Sequence, residues 1–327
     1  MMKGFLIFSA LVMAVCLIGC QQEEPANRSS DNMLNGIFSV SATTKVRFSR
    51  GNLQYRASTD TWRFAEHQWD IVGMGYGQTD ESNLCYIGGT VTDGDNRQIS
   101  SSYDGWIDLF GWATSGWDNT DDDPYSVNYN PWSISCSLVN VYYNTFGYGP
   151  SSNQKDRNLT GYYDWGSNRI GEDAPRMWRT LTKDEWSYLI YTRRNSFIKY
   201  GAAKVNGITG VVILPDNWKM PVACVFTAGM SSMDDKYDWS EVATSNIYSV
   251  EQWNRMENAG AVFFPCGGGR YGGTVNCVYS VGAFGSYWSS TADGVFGAFY
   301  LYFDDDSIAS YSASRYYGYS VRLVSEL

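Results

Sequence analysis

His67 is the only histidine in 327 residues, so imidazole pairs are excluded as metal ligands or as an acid–base couple. It sits in Phe64-Ala65-Glu66-His67-Gln68-Trp69 and reads as a packed, structural ring. No G-x-S-x-G elbow occurs, and a serine nucleophile would depend on this one base. Of the seven cysteines, Cys16 and Cys20 belong to the amino-terminal address described below. Cys85, Cys136, Cys224, Cys266 and Cys277 remain, with no C-x-x-C pair to build a zinc ribbon or a thioredoxin-like site. Cys266 and Cys277 flank a glycine-rich stretch; they could meet across a hairpin or stay as buried thiols. Between them, Gly267-Gly268-Gly269-Arg270-Tyr271-Gly272 fits G-x-G-x-x-G. A pyrophosphate site needs a helix to start there, and the following Thr274, Val275 and Val278 read as strand instead. The glycines then make a turn from which Arg270 and Tyr271 project. The acidic runs Asp121-Asp122-Asp123 and Asp304-Asp305-Asp306 offer hard oxygens to a cation. Neither fits the EF-hand spacing, and both read as solvated loops with no metal assigned.

The segment richest in recognition chemistry is Tyr311 to Tyr319, Tyr-Ser-Ala-Ser-Arg-Tyr-Tyr-Gly-Tyr. Tyrosine brings contact area at low entropic cost, and Ser and Gly let a loop adapt, which is the mixture antibody paratopes use. Arg270, Tyr271, Tyr279, Tyr311, Arg315, Tyr316 and Tyr317 are therefore the candidate ligand-binding set. The rings would stack on sugar or protein, and the two arginines would fork onto carboxylates or carbonyls. Phe284 has a similar character. No catalytic constellation and no cofactor site emerges, so the expectation is a binding protein rather than an enzyme. Asp306-Ser307-Ile308 also fits a short O-glycosylation pattern of exported Gram-negative proteins.

Composition supports the same class. Charged residues make up 18% and aromatics 16%, with 25 Tyr, 13 Trp and 33 Gly; disorder, coiled coil and collagen are excluded. The net charge of −10 repels phosphate backbones, so nucleic acid is not an expected partner.

The amino terminus reads as an address. Lys3 precedes an apolar run, Phe5 to Ile18, that suits a signal h-region and is short for a membrane span. Leu17-Ile18-Gly19-Cys20 looks like a bacterial lipobox, which would place cleavage after residue 19 and a lipid on Cys20. Gln21-Gln22-Glu23-Glu24 resembles a surface-export signal, so the expected location is the outer membrane, facing the cell exterior. The organisation expected is a signal peptide over 1–19, a lipidated tether over 20–36 and one domain over 37–327.

The elements that must position the candidate residues are partly legible. Val46-Arg47-Phe48 and Leu53-Gln54-Tyr55 alternate around an Arg50-Gly51-Asn52 turn, and Trp62-Arg63-Phe64 follows a second turn at Ser58-Thr59-Asp60. Gly73 to Pro150 lacks periodicity and must be held by its own aromatics. Thr182 with Glu185 and Ser249 with Gln252 each make a capping box, stapled by Leu181–Trp186 and Tyr248–Trp253. The first helix should run to about Arg193, and the second should stop near Gly260. A hairpin is expected at Val205-Asn206-Gly207, and strands at Gly210–Leu214, Ala261–Pro265, Tyr287–Ser290, Ala298–Phe303 and Tyr319–Val324.

Two short helices, a long looped middle and Tyr-Trp-Ser-Ser before an Arg-containing closing strand resemble the C-type-lectin-like fold, an α+β architecture of small antiparallel sheets and long aromatic-rich loops. More narrowly, Gly51-Asn52-Leu53-Gln54-Tyr55, Trp178-Arg179-Thr180-Leu181-Thr182, Glu185-Trp186, Tyr287-Trp288-Ser289-Ser290 and Ser320-Val321-Arg322-Leu323-Val324 resemble exported lipoproteins of the Fibrobacter-type major paralogous domain, over about residues 37–325. The same broad fold hosts sulfatase-modifying, formylglycine-generating enzymes and retroelement-diversified variable proteins. The resemblance implies a stable scaffold with a tolerant loop surface near the carboxy terminus and names no ligand; the Tyr- and Arg-rich residues are what point to a glycan or protein. Two rivals remain open. One is an enzyme on the same fold, either a formylglycine-generating, copper-dependent oxidase using Cys266 and Cys277, whose spacing departs from that family's cysteine pair, or a hydrolase without a recognised motif. The other is a structural, fimbria-associated envelope component.

Overall fold

A computed structural model describes residues 32–72, 94–98, 100–116, 130–132, 158–230, 246–271, 277–294 and 297–327. The chain divides into two units, Met1–Asp31 and Asn32–Leu327. Cys20, Cys85, Cys136, the apolar run of the signal and Asp121-Asp122-Asp123 lie outside the described residues. No helix among those described is long and apolar enough to cross a membrane.

In chain order the strands are β1 (Phe38–Ser39), β2 (Lys45–Phe48), β3 (Leu53–Arg56), β4 (Thr61–Phe64), β5 (Trp106–Ile107), β6 (Arg179–Thr180), β7 (Tyr200–Val205), β8 (Ile208–Ile213), β9 (Ile247–Tyr248), β10 (Val262–Pro265), β11 (Gly269–Tyr271), β12 (Cys277–Tyr279), β13 (Gly285–Asp293), β14 (Gly297–Phe303), β15 (Ile308–Ser314) and β16 (Leu323–Glu326). Helix α1 (Lys183–Ser187) follows β6, and α2 (Val250–Asn258) follows β9. The sheets run β1-β2-β16-β6, β10-β8-β7-β9, β11-β12, β13-β14-β15 and β4-β3-β5. Apart from β7 with β9, every strand pair is antiparallel among the described residues. The architecture is α+β, built from small sheets and two short helices.

Local chemistry sets several of these elements. Both capping boxes form: Thr182 Oγ1 accepts from Glu185 N, and Ser249 Oγ from Gln252 N. Past Ser187 the first helix widens into a π-turn over Tyr188–Thr192, close to the expected end. α2 closes on Gly260, whose φ of 102° is easily reached only without a side chain. Asn206 and Gly207 both have positive φ and join β7 to β8 as a two-residue hairpin. By contrast β2 and β3, on either side of Arg50-Gly51-Asn52, join different sheets. β2 instead pairs with β16, so the carboxy terminus closes the amino-terminal sheet. Packing also starts before residue 37: Leu34 is buried and its N–H donates to Phe48 O.

Three apolar clusters fill the interior. One gathers Phe38, Phe48, Trp186, Phe264 and Tyr287 between the sheets and α1. A second gathers Trp62, Phe110, Trp112, Trp165, Trp178 and Trp288. The third seats α2 through Trp253 and Met256 on Phe263 and Tyr248. The β13-β14-β15 meander lies between the first two. Strand alternation sends Tyr287, Leu301, Phe303 and Ile308 into the first cluster, and Trp288, Ala298, Tyr300 and Ala313 toward the second.

Candidate functional site

The second face of that meander is where the tyrosines collect. Trp288 pairs across the ladder with Tyr300, and Tyr300 with Tyr311; Tyr302, two residues on, shares their face. The ring centroids of Tyr302 and Tyr311 are 5.6 Å apart, and those of Phe284 and Tyr302 5.4 Å. Tyr279 continues the row at 5.6 Å from Phe284. In the other direction Tyr300 meets Tyr319 at 4.7 Å, Tyr319 stacks on Tyr317 at 5.9 Å, and Tyr317 on Tyr316 at 4.9 Å. The result is a continuous aromatic platform. Tyr311 is 49% exposed, Tyr279, Tyr300, Tyr302, Tyr316 and Tyr317 are half-buried, and Tyr319 and Phe284 form its floor.

The platform is held from below. The Tyr319 hydroxyl is hydrogen-bonded with those of Tyr279 and Tyr300. Burial, reinforced by these neighbouring phenols, pushes its ionisation well above the ordinary range. Burial likewise raises Tyr300, so both remain neutral hydroxyls. Tyr302 donates to Asp304 Oδ2 at 2.9 Å. Asp304 Oδ1 also accepts from Ser307 N at 2.8 Å and Ser307 Oγ at 2.7 Å, capping the β14–β15 turn. Burial opposes ionisation of Asp304, but hydrogen bonds from Ser307, Asp306 and Tyr302 outweigh it and hold the carboxyl below its ordinary value. The carboxylate oxygens of Asp304, Asp305 and Asp306 lie within 4.8 Å of one another. Asp304 and Asp305 are buried, which corrects the reading of this run as a solvated loop: Asp304 works as a turn cap.

The candidate residues divide sharply. Tyr279, Tyr311, Tyr316 and Tyr317 fall on the platform. Tyr311 does so from a strand, not from the adaptable loop expected, because β15 pairs along its whole length with β14. Arg270 and Arg315 do not project; both are 0% exposed. Arg315 Nε donates to Gly297 O at 2.8 Å and Nη2 to Gly294 O at 2.7 Å, while its guanidinium stacks on Trp112 at 4.3 Å. It clamps the turn that starts β14. Arg270 lies in β11, where its backbone pairs with Gly318, and its Nη2 reaches Gln98 O and Trp132 O, both at 3.4 Å. The backbone of Tyr271 is on β11; its side chain lies outside the described set. The glycines here serve close approach. A Cβ on Gly268, at φ 67°, would sit 2.2 Å from Tyr279 O.

Tyr300, Tyr302 and Tyr319 lie outside the candidate set, although the alternation in Ala298-Phe299-Tyr300-Leu301-Tyr302-Phe303 carries the signal. Once Leu301 and Phe303 go to the core, Tyr300 and Tyr302 must face away.

The cysteines and His67 also find their places. Cys266 is a free, fully buried thiol; burial raises its pKa well above the ordinary value, against a hydrogen bond from Thr209. The expected hairpin exists, but Cys277 pairs with Tyr271, whereas Cys266 O accepts from Gly282 N. A Cys266–Cys277 bridge is therefore not formed. His67 stacks on Trp69 at 4.6 Å, in packed surroundings.

Residues 236–324 match the model of a family described as a domain of unknown function (DUF8237). That segment contains every ring of the platform. No curated protein and no solved structure matches the chain.

Proposed function

We propose that this chain is a non-catalytic binding protein that recognises a glycan or a protein through the tyrosine platform, on a C-type-lectin-like scaffold. The observation that carries the reading is the continuous aromatic platform from Tyr316 to Tyr279, its half-buried rings laid over Tyr319 and Phe284, with the hydroxyls of Tyr279 and Tyr300 hydrogen-bonded to that of Tyr319. Such rings offer flat apolar faces and hydroxyl edges in one surface, the combination that suits sugar faces and protein hot spots. Because packing already restricts them, little rotamer freedom remains to be lost on binding. The two buried arginines act as scaffold in this reading, not as ligand contacts. The platform belongs, in the same proposal, to an outer-membrane lipoprotein anchored through Cys20 and facing outward. The oxidase alternative draws no support from Cys266, whose burial disfavours the thiolate that such chemistry needs.

The test replaces Tyr311, Tyr316 and Tyr317 together by Ala and measures binding to glycan and protein arrays, with circular dichroism to verify folding. Loss of binding in a folded variant is expected. Undiminished binding would overturn the site. Anchoring is tested separately: a fatty-acid label should appear on the wild-type chain in cells and vanish in Cys20→Ser.

A further inference from the structure

The outer edge of β15 points to a second copy of this chain. Among the described residues no strand lies beyond β15 in its sheet. The turn fixes which backbone groups face outward. Asp304 N donates to Ser307 O, so residues 304 and 307 form a hydrogen-bonded pair, and antiparallel alternation then turns the backbones of Ile308, Ser310, Ser312 and Ser314 away from β14. Two of these are already engaged: Tyr191 Oη donates to Ile308 O at 2.6 Å, and Tyr317 N donates to Ser314 O at 3.0 Å. The open stretch is thus bounded on both sides and runs from Ala309 to Ala313.

That stretch reads Ala309-Ser310-Tyr311-Ser312-Ala313, the same in both directions. Edge strands that stay single are guarded by charge, proline or a bulge. Ile308–Ser314 has no charged residue and no proline, its register with β14 is unbroken, and Tyr311 and Ser312 are exposed. We propose that two copies join edge to edge through antiparallel β15 strands, with the two-fold axis at Tyr311. Ser310 of each copy then exchanges both backbone hydrogen bonds with Ser312 of the other. Tyr311 faces its own symmetry mate as a non-hydrogen-bonded pair, and Ala309 faces Ala313. A two-fold contact must be self-complementary, and a palindromic strand whose free backbone coincides with the palindrome satisfies this without any other matching. Two three-stranded sheets become one of six strands, and the two platforms, which share a face, become continuous. The inference goes beyond ligand recognition and stands without it.

The experiment measures mass in solution by analytical ultracentrifugation for the full chain, for Ser312→Pro and for Tyr311→Cys. Ser312→Pro removes one outward N–H and leaves the ladder to β14 intact, so a folded monomer is expected where the wild type is a dimer. A non-hydrogen-bonded pair brings Cα atoms to about 4.5 Å, within disulfide range, so mild oxidation should link Tyr311→Cys chains at residue 311 by peptide mapping, above the wild-type background. A monomeric wild type at the highest soluble concentration, a dimer indifferent to Ser312→Pro, or absence of the residue-311 link would each overturn the proposal. Because Ser312→Pro keeps every platform ring, its array binding reports on the recognition surface independently of assembly.

Discussion

Replacing Arg315 by Ala separates a scaffold arginine from a ligand arginine. In the folded chain its guanidinium donates to the carbonyls of Gly297 and Gly294 and lies 4.3 Å from the Trp112 ring centroid. A hydrogen bond from a charged donor contributes about 1.5–3 kcal/mol net. Gly294 is exposed and Gly297 only half-buried, so water recovers part of what the two carbonyls lose, and one full bond is the fair count. The stacked cation adds about 0.5–2 kcal/mol. Loss of the packed stem brings the expected cost of Arg315→Ala to roughly 3–5 kcal/mol. Arg315→Lys keeps the charge but cannot fork to two carbonyls or stack as a plane, so it should fall between. The assay is equilibrium urea unfolding followed by tryptophan fluorescence. With an m-value of about 3 kcal/mol/M, the Ala midpoint should drop by more than about 1 M. A loss below about 1 kcal/mol, together with abolished ligand binding, would refute the inward assignment and return Arg315 to the surface.

Three further outcomes follow from the same structure. Thr182→Ala removes the acceptor for Glu185 N and half of a capping box; the expected cost is about 1 kcal/mol in the same urea assay. Cys266, free and fully buried with its thiol pushed up, should stay unmodified by iodoacetamide in the native chain and react only on unfolding, as read by peptide mass mapping. Burial pushes the Asp108 carboxyl from an ordinary 3.8 up to about 7, against hydrogen bonds from Asn96 and the Val72 N–H. Between those values the folded chain holds a proton that the unfolded chain has released, so this contribution to stability is complete below the lower value and is lost as pH rises through the upper one. The urea midpoint should therefore fall between about pH 4 and about pH 7 and level off above, with a shallower fall in Asp108→Asn; Asp164, also raised by burial, adds in the same direction.

What can be read from the residues is what local chemistry decides. The capping boxes at Thr182 and Ser249 need only a hydroxyl and a side chain three residues on. The Asn206-Gly207 hairpin needs only two residues tolerant of positive φ. The strands around Phe264, Trp288 and Leu301 announce themselves by apolar runs. Sheet membership is not legible, because β2 finds β16 from the far end of the chain, and nothing near Arg50-Gly51-Asn52 encodes that. β15 escapes notice for a different reason. Ala and Ser have weak strand preference, and the pairing with β14 overrides it. The arginines mislead because charge is a good guide to exposure except where distant groups build a pocket. Trp112, Gly294 and Gly297 do so for Arg315; Gln98, Trp132 and Gly318 do so for Arg270. Asp304 misleads similarly: three consecutive carboxylates suggest solvent, yet Ser307 and Tyr302 make one of them the cap of a turn.

The buried charges share a role in holding the platform. Tyr300 and Tyr302 can face outward only because Leu301 and Phe303 anchor the other side of β14, and β14 is held at both ends by buried ionic groups. Arg315 grips the Gly294 and Gly297 carbonyls where the strand begins; Asp304 gathers Ser307 and Tyr302 where it turns back. The arginine that the sequence pattern would assign to a ligand thus makes its hydrogen bonds inside the fold, leaving rings and hydroxyls on the face proposed for recognition. In the proposed binding mode a surface of rings costs less to desolvate than exposed guanidinium groups, which would have to shed bound water. In that binding mode affinity depends on ring placement more than on charge, so any ligand taken up by this face should bind with weak salt dependence even though the chain as a whole carries a net charge of −10.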